Sequence, residues 1–483
     1  MTSGWHIKPG DKVFRPRRIR RYHLRRVLGV AAVFSAGYGN VGSSIYYALG
    51  IVSLAAVGAT PLALGIAGIL FVFTALTYAE GSAMFPEAGG SASFARHGFN
   101  DFVSFLSGWA LMLSYVVTIS ISAFTIPPYL GYFWAPLKES PIIGTAVSIG
   151  IMLFLMMLNL IGIKGTSILN VWSAVIDLVT RILLVLVGFV LLFNPSLLWH
   201  RIVDHWPTAE NLVLGIALAS IAYTGIETAS QMAEETRRPE KNVPRALVLM
   251  MIAVLAIFAG ISIVSLLAVS PEQLASEWAR DPVAGIAANI PMAVIANIFK
   301  PLIGILAGTI LLIATNAGLI GISRLAFSLG QYNLMPSVLS RVHPKFKTPY
   351  FSIIIFTVIA IAILIPGFFA PDVFANIGAL YAFGSLLAFM FSHAAIISLR
   401  IRKPELPRPF KLKGNIKIMG CELPVTAVLG LLSTFTVWII ISITQPFSSC
   451  VGFIWVAVGL VIYCLYRQKR RMPLLSVSKS AAK

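Results

Sequence analysis

The sequence predicts an all-α membrane protein of twelve transmembrane helices: two inverted repeats of five helices, followed by two C-terminal helices. Three observations predict this fold class. The chain of 483 residues is 58% hydrophobic and 11% charged, whereas ordinary soluble domains carry about 25% charged residues. It contains roughly a dozen apolar runs near the length of about 20 residues that a helical span needs. The first and the sixth of these runs are both interrupted by small and polar residues.

The charge balance is strongly basic, with a formal net charge of +19. Residues 1–26 are rich in arginine, and we expect a cytoplasmic tail because the apolar stretch that follows is too long for a signal peptide and has no cleavage site. The loops after spans 6, 8 and 10 and the C-terminal end are basic as well. The positive-inside rule then places both termini in the cytoplasm, with the basic side facing anionic lipid headgroups. Nucleic-acid binding is disfavoured because no basic face with aromatic stacking positions is present.

The apolar runs divide the chain into segments of a multi-pass protein of the cell membrane, either a plasma membrane or a bacterial inner membrane. The predicted spans are 28–56, 61–84, 102–130, 141–163, 167–194, 210–233, 244–270, 297–323, 350–366, 371–399, 421–444 and 448–466. The predicted segments are an N-terminal tail (1–26), a first repeat (27–195), a second, inverted repeat (210–400), a basic cytoplasmic loop (401–420), helices 11 and 12 (421–466) and a C-terminal tail (467–483).

Span 1 is interrupted between Ala36 and Tyr47 by glycines, an asparagine and two serines. Glycine inside a helix costs about 1 kcal/mol relative to alanine, and a bilayer tolerates a broken helix only where its backbone faces protein or a water-filled cavity. The stretch Gly37–Gly42 also fits the dinucleotide pattern G-x-G-x-x-G, but it lacks the flanking strand and the acidic residue about 20 positions on. We therefore interpret the interruption as a binding site, with close helix packing as the alternative.

Span 6 is interrupted in the same way between Ala219 and Ala229, and here the interruption contains Glu227. Matched breaks in two halves are typical of the central site of an inverted-repeat transporter. Free amides at a helix break bind anionic groups, and free carbonyls attract cations, so the two breaks suit an α-amino acid. The candidate substrate-binding residues are Gly39, Asn40, Gly42, Ser43, Ser44 and Ile45 in span 1 and Ile221, Ala222, Tyr223 and Gly225 in span 6.

Several stretches occur in the order and at the separations of a known family. They are Gly42-Ser43-Ser44-Ile45-Tyr46, Phe85-Pro86-Glu87-Ala88-Gly89-Gly90, Tyr223-x-Gly225-Ile226-Glu227 with Pro239-x-Lys241-Asn242-Val243-Pro244 after it, and Asn316-Ala317 with Ser323-Arg324. The sequence thereby resembles the amino acid–polyamine–organocation permeases, which share the LeuT-type fold. The resemblance implies that spans 1, 2, 6 and 7 rock against spans 3, 4, 8 and 9.

Three positions depart from the pattern that this resemblance implies. Ser44 replaces a glycine of the family, and Ile221 replaces the aromatic residue that covers a cationic substrate in arginine-type exchangers. Many members that do not use sodium carry a lysine in span 5 at a cation position, and aligning Asn170 to the family's asparagine places Asp177 there.

The charges inside the spans are the candidates for coupling or gating, because charges at this depth are costly and usually functional. Asp177 either pairs with Arg181, one turn later on the same face, or accepts a proton. Glu227 has the same choice between a role in transport and a structural one. Glu80, at the cytoplasmic end of span 2, is expected to be structural or part of an inner gate.

The predicted function is secondary active transport of an amino acid, by exchange or with proton coupling, since burial disfavours the charged form of a carboxylate. The alternative substrates are a polyamine, another organic cation or potassium. No cofactor or metal site is predicted, and a membrane enzyme is disfavoured because no catalytic motif is present. A sensor that binds the substrate without moving it stays open.

Overall fold

The protein is described by a computed structural model that covers residues 26–162, 166–346, 348–369, 373–412, 414–418 and 421–475. Most of the predicted N-terminal tail and the end of the predicted C-terminal tail lie outside these residues. Nineteen α-helices and one two-stranded sheet form in the part of the chain that the structure describes. They are α1 (Val30–Ser43), α2 (Ile45–Ala56), α3 (Thr60–Met84), α4 (Ser91–Gly98), α5 (Asp101–Leu130), α6 (Pro136–Glu139), α7 (Pro141–Ile161), α8 (Thr166–Leu192), α9 (Pro195–Val203), α10 (Ala209–Ala219), α11 (Glu227–Gln231), α12 (Pro239–Ala268), α13 (Pro271–Ala275), α14 (Pro282–Ala288), α15 (Ala293–Gln331), α16 (Tyr350–Leu364), α17 (Val373–Arg402), β1 (Asn415–Ile418), β2 (Cys421–Pro424), α18 (Val425–Thr444) and α19 (Pro446–Lys469).

Eleven helical stretches among the described residues are long and apolar enough to cross a membrane. The first of them, Val30–Met84, has 55 residues and contains α1, α2 and α3. A helix satisfies all its backbone hydrogen bonds internally, which is why such apolar segments fold this way in lipid. The predicted all-helical membrane fold is therefore confirmed, apart from the small sheet.

Contacts between the connecting segments define two ends of the helix bundle. At the first end, which we call the basic end, the backbone of Val27 and Leu28 is hydrogen-bonded to that of Glu235 and Arg237, and Ser398 Oγ donates to the carbonyl of Gly98. At the other end, which we call the opposite end, the amide of Gly58 donates to the carbonyl of His205. These contacts put the turn between α2 and α3 far from the start of α1.

The core is built around α5. In the part of the chain that the structure describes, it has the largest buried share of any candidate span, 83%. It packs against α15, α17 and α7. Its N-terminus is capped by Asn100, whose side chain accepts a hydrogen bond from the amide of Val103, which satisfies one of the free donors of the first turn.

The sheet was not predicted. Strands β1 and β2 pair as an antiparallel hairpin inside the connection between α17 and α18, where we expected only a basic loop and the start of span 11 at residue 421. The helix begins four residues later, at Val425, because Cys421–Pro424 are extended and paired. Strands of four residues are too short to show a clear alternation in sequence.

Candidate functional site

The break in span 6 is an extended segment between two helical pieces. Helix α10 ends in a 3₁₀ turn at Ser220–Tyr223, Thr224 is extended with ψ 158°, and Gly225 has φ +104°. Only glycine adopts this φ readily. A Cβ atom at Gly225 would also lie 2.8 Å from the Cγ of Asn40. The predicted interruption of span 6 is therefore present, and Gly225 is required at it.

The break in span 1 is much smaller than we expected. Only Ser44 separates α1 from α2, and its backbone stays in the right-handed helical region. The amide of Ser44 donates to the carbonyl of Val41, three residues earlier, at 3.1 Å. The helix is therefore locally tightened here, but its hydrogen bonding is not interrupted at Ser44. The Ser43 hydroxyl donates to the carbonyl of Asn40, and the Ser44 hydroxyl shares a hydrogen bond with Tyr47 at 2.8 Å.

The two breaks touch each other through Asn40. Its side-chain nitrogen lies 2.8 Å from Thr228 Oγ1 and 3.5 Å from the carbonyl oxygen of Gly225. The matched positions that the sequence indicates are thus neighbours in space. This hydrogen bond also occupies the side chain of Asn40, so in this conformation its role is to join span 1 to span 6.

Glu227 begins α11 directly after the span 6 break and is fully buried. Its Oε2 accepts a hydrogen bond from the amide of Gly225 at 3.1 Å. Its Oε1 has no hydrogen-bond partner among the described residues. The buried tyrosines Tyr78, Tyr115 and Tyr381 lie near this carboxylate. Buried polar groups normally find partners, so the unpaired Oε1 makes Glu227 a candidate for contact with a ligand.

Asp177 and Arg181 form the buried pair that their spacing on α8 predicts. Arg181 Nη2 lies 2.6 Å from Asp177 Oδ2, and both side chains are at most 1% exposed. The hydroxyls of Tyr38 and Tyr46 donate to Asp177 at 3.1 and 2.8 Å. The carboxylate is therefore held by one cation and two hydroxyl groups, which repays part of the cost of burying it.

The guanidinium of Arg181 also reaches the break in span 1. Its Nη1 donates to the carbonyl of Gly42 at 2.5 Å, next to the C-terminal end of α1, where the helix dipole favours a positive charge. The alignment places Asp177 at the cation position of span 5. The span 5 side chain on the Gly42 carbonyl is that of Arg181, one helical turn later, and the role of Asp177 in coupling stays a prediction.

The remaining predicted substrate residues are all buried, and several face neighbouring helices. Gly39 packs against α15, with Ile313 Cγ2 3.5 Å from the place of its missing Cβ. The Tyr223 hydroxyl donates to the carbonyl of Leu64 at 2.8 Å, so its side chain points to α3. Ile221 lies against Gly378 of α17. Ile45 and Ala222 are fully buried.

Glu80 lies at the basic end and apart from the breaks. It forms a bidentate pair with Arg400 of α17, at 2.8 and 2.7 Å, and accepts a hydrogen bond from the amide of Leu412 at 2.9 Å. Arg400 also reaches Glu422 of β2, at 3.3 Å. Glu80 therefore fastens α3 to α17 and to the segment before the hairpin, in agreement with a structural or gating position.

Sequence reasoning missed most of the tyrosines. Tyr38 and Tyr46 donate hydrogen bonds to Asp177, and Tyr78, Tyr115 and Tyr381 lie near Glu227, whereas Tyr223 is the only tyrosine among the predicted site residues. The first pair had a detectable signal, since Tyr38 and Tyr46 are eight residues apart and so lie on one helix face, on either side of Ser44. No group of three or more His, Cys, Asp or Glu side chains within the described residues is placed to hold a metal.

Comparison with known proteins identifies the family. The model of the family described as "Amino acid permease" matches residues 28–464. The chain is 26% identical to the branched-chain amino acid permease BcaP of Bacillus subtilis, over 92% of this chain and 94% of that protein. It is 26% identical to the methylthioribose transporter of Bacillus subtilis, over 93% and 95%. It is 27% identical to the low-affinity putrescine importer PlaP of Escherichia coli K12, over 94% and 96%.

The family model covers most of the chain and agrees with the resemblance seen in the motifs. The relatives are transporters and not enzymes, and the eleven apolar helical stretches agree with a multi-pass membrane protein. This chain is therefore a permease that belongs to the amino acid permease family of the amino acid–polyamine–organocation superfamily.

Proposed function

We propose that this permease is a secondary active transporter of a small substrate with an ammonium group, and that an amino acid is the first candidate. The observation that carries the proposal is the buried Oε1 of Glu227, which lies beside the span 6 break and has no hydrogen-bond partner among the described residues. An ammonium group donates up to three hydrogen bonds and its charge complements the carboxylate. Glu227 and the span 6 break then hold the ammonium end of the substrate.

The substrate carboxylate, in this proposal, binds to the amides around Gly42, Ser43 and Ser44. The Ser44 amide now donates to the carbonyl of Val41, so this contact requires the tightened turn to open when the substrate arrives. Such an opening involves one turn of helix, since only Ser44 separates α1 and α2.

The proposed architecture has twelve spans in a five-plus-five inverted repeat with two added helices. Its support is that Val30–Met84 is 55 residues long, about 80 Å if fully helical at 1.5 Å per residue. That is nearly twice a bilayer including its headgroups. The segment starts at the basic end, turns near Gly58 at the opposite end and returns to Glu80, so it accounts for two crossings. The positive-inside rule makes the basic end cytoplasmic, in a cell membrane.

Alternating access then consists of breaking the contacts at one end at a time. At the basic end, Arg324 of α15 pairs with Glu235 at 2.8 Å, and Glu235 also accepts from the amide of Leu28 through its carbonyl. At the opposite end, the Tyr129 hydroxyl donates to the carbonyl of Tyr46 at 2.8 Å. The Arg324–Glu235 pair joins span 8 to span 6, and the Tyr129–Tyr46 hydrogen bond joins span 3 to span 1, so each connects groups that are expected to move relative to each other.

For coupling we propose a proton or exchange, without sodium. Arg181 is a fixed cation because a guanidinium does not lose its proton in proteins, and it already occupies the Gly42 carbonyl at the span 1 break. This arrangement leaves Glu227 as the carboxylate that can gain or lose a proton during transport, whereas Asp177 is neutralised by its pair with Arg181.

The decisive experiment is uptake into proteoliposomes of labelled leucine, serine, putrescine and methylthioribose, with and without a pH gradient. We expect uptake of at least one amino acid, unchanged when sodium is replaced by choline, and at least a tenfold loss for Glu227→Gln, in keeping with about 1.5–3 kcal/mol for a hydrogen bond to a charged group. Glu210→Gln is the matched control, because Glu210 lies exposed on α10 of the same span. The proposal fails if no compound is taken up or exchanged.

A polyamine or another organic cation is the second candidate, and one observation favours it. The described site offers a buried carboxylate oxygen without a partner, Glu227 Oε1, whereas its buried cation, Arg181, already contacts Asp177 and the Gly42 carbonyl. Competition for putrescine uptake separates the two candidates. If the site also accepts amino acids, zwitterionic amino acids block putrescine uptake; if the site is specific for amines, putrescine uptake stays unchanged.

A further inference from the structure

The segment between spans 5 and 6 contains a short helix, α9, at the opposite end of the bundle. Only Phe193 and Asn194 separate it from α8, and the side chain of Asn194 caps it by accepting a hydrogen bond from the amide of Leu197 at 3.1 Å. With 9 residues it is about 14 Å long at 1.5 Å per residue. That is less than half of the hydrocarbon thickness of about 30 Å, so α9 does not cross the membrane.

The inner side of α9 is attached to the ends of neighbouring spans. Arg201 Nη1 donates to the carbonyls of Leu266 and Val269, at 2.5 and 3.0 Å, where the dipole of α12 favours a positive charge. Just after α9, the carbonyl of His205 accepts a hydrogen bond from the amide of Gly58, in the turn between α2 and α3. A Cβ atom at Gly58 would lie 2.5 Å from the carbonyl oxygen of Arg201, so glycine permits this close approach. Helix α9 is therefore fixed to the turn between α2 and α3 and to the end of α12.

The outer side of α9 has an apolar edge and a polar edge. Trp199 and Val203 are four residues apart and so lie on one face, and they are 66% and 47% exposed. His200 and Asp204 are also four residues apart and exposed, and His200 Nδ1 lies 3.3 Å from Asp204 Oδ2. A helix with an apolar edge that carries tryptophan beside a polar edge is typical of helices that lie in the plane of a membrane surface.

The lipid-facing side of α8 indicates what covers the apolar edge of α9. Exposed apolar side chains recur every three or four residues along α8 and just after it: Val179, Ile182, Leu186, Val190 and Phe193. Such a stripe on a membrane-spanning helix faces lipid. It ends directly before α9, so α9 begins at the level where the hydrocarbon gives way to the headgroups. Tryptophan is enriched at this level because its ring has an apolar body and a polar N–H group.

We propose that α9 lies in the membrane interface at the opposite end, with Trp199 and Val203 among lipid and with His200 and Asp204 in water. The partner is the lipid of the bilayer itself. Arg201 of this helix points to α12, so the contact depends on the depth of the apolar edge and not on the headgroup charge. Through Arg201 and Gly58, the helix then fixes the height of the α2–α3 turn and of the end of α12 in the bilayer. The proposal is independent of the substrate assigned above.

Tryptophan fluorescence of the full chain in proteoliposomes tests the position of α9. The chain contains 9 tryptophans, so the signal of Trp199 is the difference between the wild type and Trp199→Phe. Its quenching is measured with lipids brominated near the carboxyl end of the acyl chains and with iodide in the water.

We expect brominated lipid to quench Trp199 strongly and iodide to quench it weakly. The reference is the difference between the wild type and Trp172→Phe, because Trp172 is exposed on the membrane-spanning part of α8. Strong quenching by iodide would place Trp199 in water. Weak quenching by both would place it against protein, for example a second copy of the chain, and either result overturns the proposal.

Two added tryptophans test the two edges separately and cover the case in which Trp199→Phe fails to fold. Val203→Trp puts a reporter on the apolar edge, and His200→Trp puts one on the polar edge. We expect the ratio of lipid quenching to iodide quenching to be severalfold higher for Val203→Trp than for His200→Trp. Equal ratios would overturn the proposed orientation of α9.

Gly58→Ala tests the attachment of α9 to the α2–α3 turn. The added Cβ displaces the helix, so we expect Trp199 to become more accessible to iodide. Arg201→Gln releases the second attachment and is expected to act in the same direction. Gly65→Ala in α3 is the matched control, because a Cβ at Gly65 meets nothing within 4 Å. Wild-type quenching of Trp199 in both Gly58→Ala and Arg201→Gln would overturn the proposed link between α9 and the spans.

Discussion

The breaks in spans 1 and 6 look alike in sequence and differ in structure. In span 1 a single residue, Ser44, separates two helices and keeps a helical backbone. In span 6 the chain passes through a 3₁₀ turn, an extended threonine and a glycine at φ +104° before α11 begins. Glycine and serine thus permit an unwound segment without imposing one.

The free backbone groups at the two breaks are also paired with side chains of opposite charge sign. At span 1 the freed carbonyl of Gly42 is held by Arg181, a permanent cation from another helix. At span 6 the freed amide of Gly225 is held by Glu227, which keeps a second oxygen without a partner. The span 1 break is therefore held by a side chain from another helix, whereas at the span 6 break one carboxylate oxygen has no partner among the described residues.

The largest expected effect comes from Arg181→Gln, which tests whether span 1 is fastened by its cation. The change leaves Asp177 buried without its charge partner, and breaking such a pair costs about 3–5 kcal/mol. We expect a large loss of thermal stability and of transport. Fluorescence-detected size-exclusion chromatography after heating measures the first, and proteoliposome uptake the second.

The double variant Asp177→Asn/Arg181→Gln is the control for that prediction, since it removes both charges. We expect it to recover part of the lost stability but not the transport, because the Gly42 carbonyl still lacks its cation. If the single variant is as stable as the wild type, the pair does not support span 1.

Gly225→Ala has the next largest effect, because it targets the one backbone position that separates the two breaks. The left-handed region costs a residue with a Cβ about 1–2 kcal/mol, and the Cβ would meet Asn40 as well. We expect uptake to fall about tenfold or more. Gly39→Ala in span 1 is the matched control, because its Cβ would find ordinary contact, 3.5 Å from Ile313. Equal losses in both variants would contradict the contrast between the breaks.

A smaller effect is expected for Asn40→Ala, which removes the hydrogen bond that joins the breaks. The loss leaves Thr228 Oγ1 without this donor and is worth about 1 kcal/mol. We expect a moderate drop of the unfolding midpoint and a change in substrate KM, since span 6 loses its support from span 1. An unchanged KM would show that the two breaks act independently.

The smallest effect is expected from lowering the pH, which protonates Glu87 in the loop that packs against α11 of span 6. Gly90 at the start of α4 lies against Gln231 of α11, and the loop before it is held by Glu87. Burial opposes ionisation of Glu87, but hydrogen bonds and charge from His97, with Ser93, outweigh it and lower its pKa to about 2 from the usual 4.5.

Because the folded-state pKa of Glu87 is lowered, its contribution to stability is complete above about pH 4.5 and is lost as the pH falls toward 2. We expect the unfolding midpoint of the wild type to fall more steeply than that of Glu87→Gln between pH 5 and pH 3. Parallel curves would remove Glu87 as a support of this region. The effect is small because the side chain is about one third exposed.

The spans were predictable because a long apolar run satisfies its backbone hydrogen bonds in lipid by forming a helix. Helices α5 and α12 begin and end within a few residues of the predicted spans. The break in span 6 was also predictable, since Gly225 and Glu227 interrupt an apolar run. The partners across the bundle were not, because nothing in the local pattern says that Tyr38 and Tyr46 meet Asp177 on a helix more than 130 residues away. The local pattern also does not indicate that Arg181 contacts the Gly42 carbonyl at the span 1 break.

The clamp at Glu80 has a consequence for synthesis of the chain. Its partner Arg400 lies 320 residues later, which at about 5–20 residues per second is roughly 16–64 s of translation. During that interval α3 carries a carboxylate with no native counter-ion, whereas Asp177 meets Arg181 within one helical turn. Helix α3 therefore lacks this partner until α17 is made, and a chain that stops before Arg400 is expected to be a substrate for membrane quality control.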